Sequence, residues 1–596
     1  MLKYNTATNY PSDLKRLSTN DLSALCDDIR AFLIQSLAKT GGHVGPNLGV
    51  VELSVALHYV FDTPKDKIVW DVSHQSYIHK ILTGRRDGIA KLNQTGGVSG
   101  FTNTGESEYD LFNVGHTSVS ISLAAGLAKA RDLQKKDEHI VAIIGDGALS
   151  GGQSFEALQS AAKKITRLII VINDNEMSID PNNGSLYDHL RQLRENSGSN
   201  GFNYFNALGY EYIYEKNGND VTACLSVLER AKKAIKPVVV HISTKKSKGL
   251  PFAELQQNIW HYHSPFDPIT GESTVVHKFG VPRGAAKQDS TVWASPRDAT
   301  STWFKKFLSQ NPSNAIVAPA TQFVDSRAFY ALGDRYIDVD IGEQNAVSFA
   351  AGMVKGGSNV FLMIQASFLQ RAYDQIAQDW CMQNLGVHLI VVASGISSLD
   401  YSHVAMFDIA LLSNIPNLVY LSPTCLKEYQ IMLDWCAASN LPTAIRLASG
   451  PIEDSQRDVS AIEYGKSEIV KHGDKVAILG LGTFLRKAIA VADQLEQNGI
   501  SATVINPRFI TPIDTEMLDR LSANHTIVVT IEDGILEGGF GAKIALYYAA
   551  TNVKVLNFGA KKEFIDHVPY DELMQRYEMA DDLIVRKILK LYSNNQ

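Results

Sequence analysis

Two oxygen-bearing side chains, set at corresponding places in successive segments, carry the first chemistry in this chain. The apolar run HIVAIIGDG ends in Gly-Asp-Gly with Asp146, the amphipathic stretch GQSFEALQSAAKK follows, and a second apolar run, RLIIVINDN, ends at Asn175. That alternation is the pattern of a strand, helix, strand unit whose strands run parallel. Ligands of open α/β sheets bind beyond the carboxyl ends of the strands, so Asp146 and Asn175 are placed to share one ion. A carboxylate, a side-chain amide and a backbone carbonyl suit a hard cation such as Mg²⁺, which also takes oxygens from a bound phosphate. Gly-Asp-Gly alone more often makes a tight turn. Its coupling to Asn-Asp-Asn is what points to a metal.

Histidines supply the other candidates. His43 lies in the Gly-rich break TGGHVGPNLG, where composition alone reads as a turn, and His74 and His79 follow the apolar run KIVWDV. Gly115-His116-Thr117-Ser118 precedes a helical pattern, where free N–H groups attract phosphate or a serine simply caps the helix. His261 and His263 form an HxH pair beside Trp260 and Tyr262, but no further ligand cluster accompanies them as a transition metal requires. Gly480-Leu481-Gly482 lacks the third glycine of a dinucleotide loop.

These residues need a large scaffold. The chain has 596 residues, too many for one ordinary core. Net charge is −7 and the basic residues are dispersed, which does not suit nucleic acid. Five cysteines without a CxxC pair read as reduced core residues of a cytoplasmic protein. The N-terminus lacks the apolar core of a signal peptide, and no apolar run reaches transmembrane length, so no membrane partner is expected. Residues 12–40 read as one helix, with a new helix from about Val51 after the glycines and proline. The segment after Ile179 is polar and reads as a partly mobile surface stretch. Residues 267–297 and SGPIEDSQRDVSAIEYG read as linkers. The expected fold class is α/β, with three successive domains of largely parallel sheet over 1–290, 291–460 and 461–596.

Segments across nearly the whole chain resemble the 1-deoxy-D-xylulose-5-phosphate synthase family of transketolase-like thiamine-diphosphate enzymes. They include GGHVGPNLGVVELSVALHYVFDTPKDKIVWDVSHQSYIHKILTGRRD, GESEYD, VGHTSVSIS, IGDGALSGG, NDNEMSI, DIGEQNAVSFAAG, SFLQRAYDQ, MFDIALLSNIPNLVYLSP and EFIDH. The resemblance implies a diphosphate-binding, a pyrimidine-binding and a transketolase C-terminal domain, the cofactors thiamine diphosphate and Mg²⁺, and a homodimer acting on small molecules. Its implied reaction joins a keto donor, pyruvate, to an aldehyde acceptor, D-glyceraldehyde 3-phosphate. The product, 1-deoxy-D-xylulose 5-phosphate, serves isoprenoid and thiamine biosynthesis. By resemblance Asp146, Asn175 and the carbonyl of Met177 are the metal ligands. His74, Gly115, His116, Thr117, Gly147, Ala148, Asn175 and Leu250 line the cofactor, and Phe368 packs on its pyrimidine. Glu343 matches the glutamate that hydrogen-bonds the aminopyrimidine and favours its imino tautomer; without that text it reads as a helix N-terminal carboxylate. His43, His116, His261 and His403 match histidines that donate or relay protons.

The departures cluster at the acceptor end. Val392 stands at the family's arginine position, Leu399 at an aspartate, Gln365 at a tyrosine and Ser449 at a second arginine. Each lost charge-assisted contact is worth roughly 1.5–3 kcal/mol, so phosphate affinity falls unless Arg371, Arg446 or a lysine substitutes. The alternative to the family reaction is therefore a paralogue with a different, unphosphorylated acceptor or a ketose donor. A cofactor-binding protein without turnover is the non-enzymatic alternative.

Overall fold

The computed structural model describes residues 10–94, 96–198, 201–274, 293–321, 323–324, 328–329, 333–397, 400–454 and 457–594. The chain divides into two compact units, Met1–Val276 and His277–Gln596.

The first unit is built on β1 (Lys67–Trp70), β2 (Ile140–Gly145), β3 (Ile169–Asp174), β4 (Glu211–Glu215) and β5 (Val238–Ser243), in the order β1-β2-β3-β5-β4. Every pairing is parallel. Helices cover both faces, so the central strands are near-continuous apolar runs; Val141 to Ile144 and Ile170 to Ile172 are fully buried. The expected helix over 12–40 is two, Pro11–Leu14 and Thr19–Thr40, because Ser18 caps the second with its hydroxyl on the Asp21 N–H. The Gly/Pro stretch does not break helix as expected: Val44–Gly49 is helical, with Pro46 in its first turn where no N–H is needed. The polar segment after Ile179 also holds an unforeseen helix, Ser185–Glu195, which buries Tyr187, Leu190 and Leu193 along one face.

The second unit contains β6 (Trp293–Ala294), β7 (Asn314–Ala318), β8 (Tyr336–Asp338), β9 (Asn359–Gln365), β10 (Val387–Ser394), β11 (Val419–Leu421), β12 (Thr443–Ala448) and β13 (Ile452–Glu453). It continues through β14 (Glu468–Lys471), β15 (Lys475–Gly480), β16 (Ala502–Asn506), β17 (Phe509–Thr511), β18 (His525–Ile535) and β19 (Lys554–Ala560). Seven strands form one sheet, β17-β11-β12-β10-β9-β7-β8, and five form another, β14-β16-β15-β18-β19. Among the described residues only β17 and β14, each at a sheet edge, pair antiparallel within these two sheets. The expected linker SGPIEDSQRDVSAIEYG is not loose where it is described. Arg508 reaches the carbonyls of Ser460 and Ala461, and Arg457 pairs with Glu468 at 2.6 Å. The expected linker at 267–297 lies partly outside the described residues.

A buried charge cluster joins elements of the second unit. Arg446 on β12 donates through Nε to Asp408 at 2.6 Å and through Nη1 to Asp533, while Tyr420 Oη donates to Asp408 at 2.6 Å. Gly395 is required beside it: its φ is +86°, and a Cβ would sit 2.0 Å from Asp533 Oδ2. Arg446→Leu would leave two buried carboxylates without their shared cation. It is expected to destabilise the chain by about 3–5 kcal/mol, read as a lower urea midpoint; an unchanged midpoint would contradict this account of the cluster.

Candidate active site

In the first unit the carboxyl ends of β2, β3 and β5 converge. Gly145 is in register with Asn173, and Asp174 with Ser243, so Asp146, Asn175 and the loop after β5 emerge side by side. Asp146 is 1% exposed; its Oδ2 accepts from Asn182 Nδ2 at 2.7 Å, and its Oδ1 is buried without a hydrogen-bond partner. Burial, then the like charge of Asp174, pushes the Asp146 carboxyl well above its ordinary range. Asn175 Oδ1 accepts from the Met177 N–H at 3.2 Å and keeps a second lone pair. An orphaned carboxylate oxygen beside a second carboxylate, an amide oxygen and a turn of carbonyls fits a hard cation. Among the described residues no three His, Cys, Asp or Glu side chains gather to hold a metal unaided. Such an ion therefore depends on amide, carbonyl and ligand oxygens.

The loop carrying these groups is braced from below. Asp174 accepts from His241 Nε2 at 2.7 Å and pairs with Arg194; His241 Nδ1 in turn meets Tyr212 Oη at 2.7 Å. Burial would raise the Asp174 carboxyl, but His241 and Arg194 override it and hold it down to about 2. Lys246 is 2% exposed, and its Nζ donates to the Ser178 carbonyl at 2.7 Å. Burial lowers its ammonium to about 8, while Asp146 and Asp180 act to raise it. It brings a positive charge to the cradle, and it sits in the unremarkable string KKSKGL.

The segment Gly115–Ser118 is fixed at both ends. Ser73 Oγ donates to the Val114 carbonyl at 2.6 Å, and Asp71 accepts the N–H groups of Ser118 and Ser120 at 2.7 and 2.8 Å. The following helix, Ser120–Gln134, is thus capped by Asp71 and not by the serine of its own loop. Ser118 Oγ instead donates to the Ala148 carbonyl at 2.7 Å, which ties this loop to Gly147 and Ala148. A Cβ on Gly147 would lie 2.8 Å from Ser178 Cβ, so only glycine lets the two loops approach this closely.

Three histidines foreseen from sequence come together. Ring centroids of His43 and His74 are 5.0 Å apart, those of His74 and His261 5.2 Å, and those of His43 and His261 5.6 Å. Asn47 makes the knot: its Nδ2 donates to the carbonyls of His43 and His74, both at 2.8 Å, and its Oδ1 accepts the Tyr77 N–H. Burial, then the positive charge of Lys246, lowers the His261 imidazole well below its ordinary value, and its Nδ1 is buried without a hydrogen-bond partner. His263 is not its metal partner; it stacks on Trp260 at 4.0 Å and turns Nδ1 to the Ser264 carbonyl. Leu250 is 3% exposed and belongs to the apolar core of the unit. His116 and Thr117 lie on the pinned loop between Val114 and Ser118.

In the second unit Glu343 opens the helix Glu343–Lys355 and is 5% exposed. Its Oε2 is buried without a hydrogen-bond partner, with Arg371 Nη1 3.5 Å away. Phe368 and Arg371 share the 3-10 turn Ala366–Ala372 that follows β9, and Phe368 meets the His403 ring edge-on at 5.7 Å. Gln365 and Ser394 end the neighbouring strands β9 and β10, and Ser449 follows β12 directly; its N–H donates to the Ser394 carbonyl at 2.8 Å.

Three readings of the acceptor end change. Val392 is 3% exposed in the core beneath the sheet, so an arginine cannot be compared at that position; Ala393, with φ +55°, is the residue that leaves the core. Leu399 lies outside the described residues, yet a carboxylate is present: Asp400 meets His403 Nδ1 at 3.0 Å. Burial would raise the Asp400 carboxyl, but the His403 hydrogen bond and charge, with Ser402, hold it well below the usual range. Arg446, committed to Asp408 and Asp533, is not free to replace a lost arginine. Sequence reasoning missed Asn47, Asp71, Lys246, Asn182 and Asp400, whose partners are set by the fold.

Comparison with known proteins gives the family. Residues 6–204 match the family description 1-deoxy-D-xylulose-5-phosphate synthase, 283–451 the transketolase pyrimidine binding domain, and 465–584 the transketolase C-terminal domain. The chain is 37% identical to the 1-deoxy-D-xylulose-5-phosphate synthase of Clostridium acetobutylicum, over 98% of this chain and 99% of that protein. It is 38% identical to the synthase of Symbiobacterium thermophilum, over 97% of this chain and 93% of that one. A solved transketolase from Campylobacter jejuni is 16% identical over 96% of this chain and 100% of that chain, with a TM-score of 0.44. The α/β architecture and this identity over nearly the full length lead to one conclusion: the chain belongs to the 1-deoxy-D-xylulose-5-phosphate synthase family.

Proposed function

We propose that the protein is a thiamine-diphosphate- and Mg²⁺-dependent transferase that condenses pyruvate with D-glyceraldehyde 3-phosphate to 1-deoxy-D-xylulose 5-phosphate and CO₂. Family membership supports the reaction, and the observation that carries the cofactor assignment is the buried Oε2 of Glu343 within DIGEQNAV, which makes no hydrogen bond and has only the Arg371 guanidinium near it, at 3.5 Å. Thiamine diphosphate supplies a carbon nucleophile and an electron sink when bound. The chain does the rest. Asp146, Asn175 and the Met177 carbonyl hold Mg²⁺, and Gly115, His116, Thr117, Gly147 and Ala148 border the diphosphate with the charge of Lys246 beside it. Glu343 accepts a hydrogen bond from the pyrimidine ring, and Phe368 packs on that ring. His261, kept neutral by burial, accepts a proton, His43 beside it relays one, and His74 of the same cluster lines the cofactor. The same reading makes the protein a cytoplasmic homodimer of the three domains 1–290, 291–460 and 461–596, which sedimentation of the purified protein tests.

His403 moves a proton at Nε2, because Asp400 takes the Nδ1 side and so fixes the tautomer. Asp400→Asn is expected to cost up to the roughly 10²–10⁴-fold that acid–base catalysis contributes, mostly in kcat. Because the Asp400 pKa is depressed on folding, the stability it adds is present above the ordinary carboxylate pKa and is lost as pH falls through the folded value. Asp400→Asn should therefore flatten the acid limb of the stability profile.

Arg446 favours a second reading. Since both its carboxylate partners are internal, it offers no phosphate contact, and an unphosphorylated aldehyde becomes a reasonable acceptor. Product analysis with pyruvate, thiamine diphosphate and Mg²⁺ separates the two. Efficient 1-deoxy-D-xylulose 5-phosphate formation with a low KM for D-glyceraldehyde 3-phosphate supports the first. Pyruvate turnover with preference for D-glyceraldehyde supports the second, and no pyruvate turnover moves the search to ketose donors.

A further inference from the structure

The candidate cation loop closes on a residue outside both of its motifs. Beyond Met177 the chain folds back at once: the Ser178 N–H donates to the Asp180 carbonyl at 3.0 Å and the Asn182 N–H to the Glu176 carbonyl at 3.2 Å. Met177 and Pro181 form an isolated bridge across this turn. The fold-back delivers the Asn182 side chain to Asp146, where Nδ2 donates to Oδ2 at 2.7 Å. Two oxygens then remain buried without hydrogen-bond partners, Oδ1 of Asp146 and Oδ1 of Asn182. A Cβ on Gly147 would lie 3.6 Å from Asn182 Oδ1, so that oxygen borders the backbone that turns around the site. A purely structural asparagine whose amide oxygen is buried pairs that oxygen as well as its N–H. This one pairs only the end that meets the carboxylate.

We propose that Asn182 is a positioning residue of the cation site. Its amide N–H fixes the Asp146 carboxylate so that Oδ1 is left for the ion, and its own Oδ1 accepts a hydrogen bond from a water on that ion. Mg²⁺ dehydrates reluctantly and keeps waters when bound, so an acceptor of this kind beside the first ligand is chemically suited. Asn182 also sets how the turn carrying Met177 meets Asp146, since its backbone N–H closes that turn. The inference rests on the proposed metal site.

Mn²⁺ is the probe, titrated into the purified full chain with thiamine diphosphate present. Free Mn²⁺ is read by electron paramagnetic resonance, and water on bound Mn²⁺ by water-proton relaxation. Asn182→Ala is expected to weaken Mn²⁺ binding by about 10–100-fold, the cost of losing an outer-shell partner, and to alter the relaxation enhancement. The metal-free thermal midpoint should stay unchanged, and the exposed neighbour Asn183→Ala should bind as the unaltered chain does. Should Asn182→Ala lower the metal-free midpoint, Asn182→Ser decides by the same comparison. Affinity and relaxation within twofold of the unaltered chain, in variants of unchanged metal-free midpoint, would overturn the role of Asn182 and leave the metal site standing. No Mn²⁺ binding by the unaltered chain would overturn the site itself and this role with it.

Discussion

Glu343→Gln is expected to lower pyruvate turnover by about 10²–10⁴-fold, the contribution of a positioned acid–base group, while thiamine diphosphate affinity stays within a few-fold. The carboxylate is buried at the first turn of the helix Glu343–Lys355, where the helix N-terminus favours negative charge. Its Oε2 makes no hydrogen bond, with the Arg371 guanidinium 3.5 Å away, and a buried acceptor so placed costs free energy until a donor comes within hydrogen-bond reach. Glutamine keeps the shape but replaces one acceptor oxygen with a donor, so the bond to the pyrimidine is weakened or reversed. The groups assigned to the diphosphate and the metal lie in the other unit, so binding should survive. CO₂ release at saturating cofactor, set beside a calorimetric cofactor titration, separates the two quantities. Full turnover in Glu343→Gln would remove Glu343 from the chemistry.

Asp146→Ala is expected to act on binding instead. It removes a first ligand, so Mg²⁺-dependent cofactor affinity should fall by more than the roughly 10–100-fold cost of an outer-shell partner. Asp146→Asn adds a test of opposite sign. In the metal-free protein Asp146 is buried beside Asp174, and neutralising it relieves desolvation and like-charge repulsion together. The metal-free thermal midpoint of Asp146→Asn should rise, while the shift produced by Mg²⁺ with thiamine diphosphate should shrink toward zero. Scanning calorimetry of both proteins, with and without the ligands, reads both effects. An undiminished ligand-induced shift in Asp146→Asn would place the ion elsewhere.

The parts legible in the sequence are those whose signal is local. Asp146 and Asn175 stood at the ends of apolar runs, and β2 and β3 end there. The alternation of apolar and amphipathic segments gave the α/β class, because strands covered on both faces lose their polar positions. At Gly480 a Cβ would lie 2.7 Å from Leu485 Cα and from Ala488 Cβ, so the glycine serves helix–strand packing. What stayed hidden depends on distant partners. Asp71 caps a helix that begins at Ser120, Asn47 joins two histidine loops, and Lys246 reaches Ser178. None of these has a periodicity or a spacing to betray it. The strand Thr443–Ala448 leaves a weak signal, because RLAS dilutes a short apolar run with a buried arginine, which is tolerated beside Asp408 and Asp533. The helix Ser185–Glu195 was read as mobile surface since only its buried stripe is apolar. By resemblance alone Val392 stands at an arginine position and Leu399 at an aspartate. Strand alternation sends Val392 into the core, and the fold brings Asp400 to His403.

The most direct test of the central claim, that this chain binds and activates thiamine diphosphate, is hydrogen–deuterium exchange at the cofactor C2. It is measured by quench-flow and proton NMR with Mg²⁺ present and no substrate. Exchange far faster than that of free cofactor, and slowed to near the free rate in Glu343→Gln, is the expected result. Exchange at the free rate in the unaltered protein, with the cofactor shown to be bound, would contradict it and leave a cofactor-binding protein without turnover.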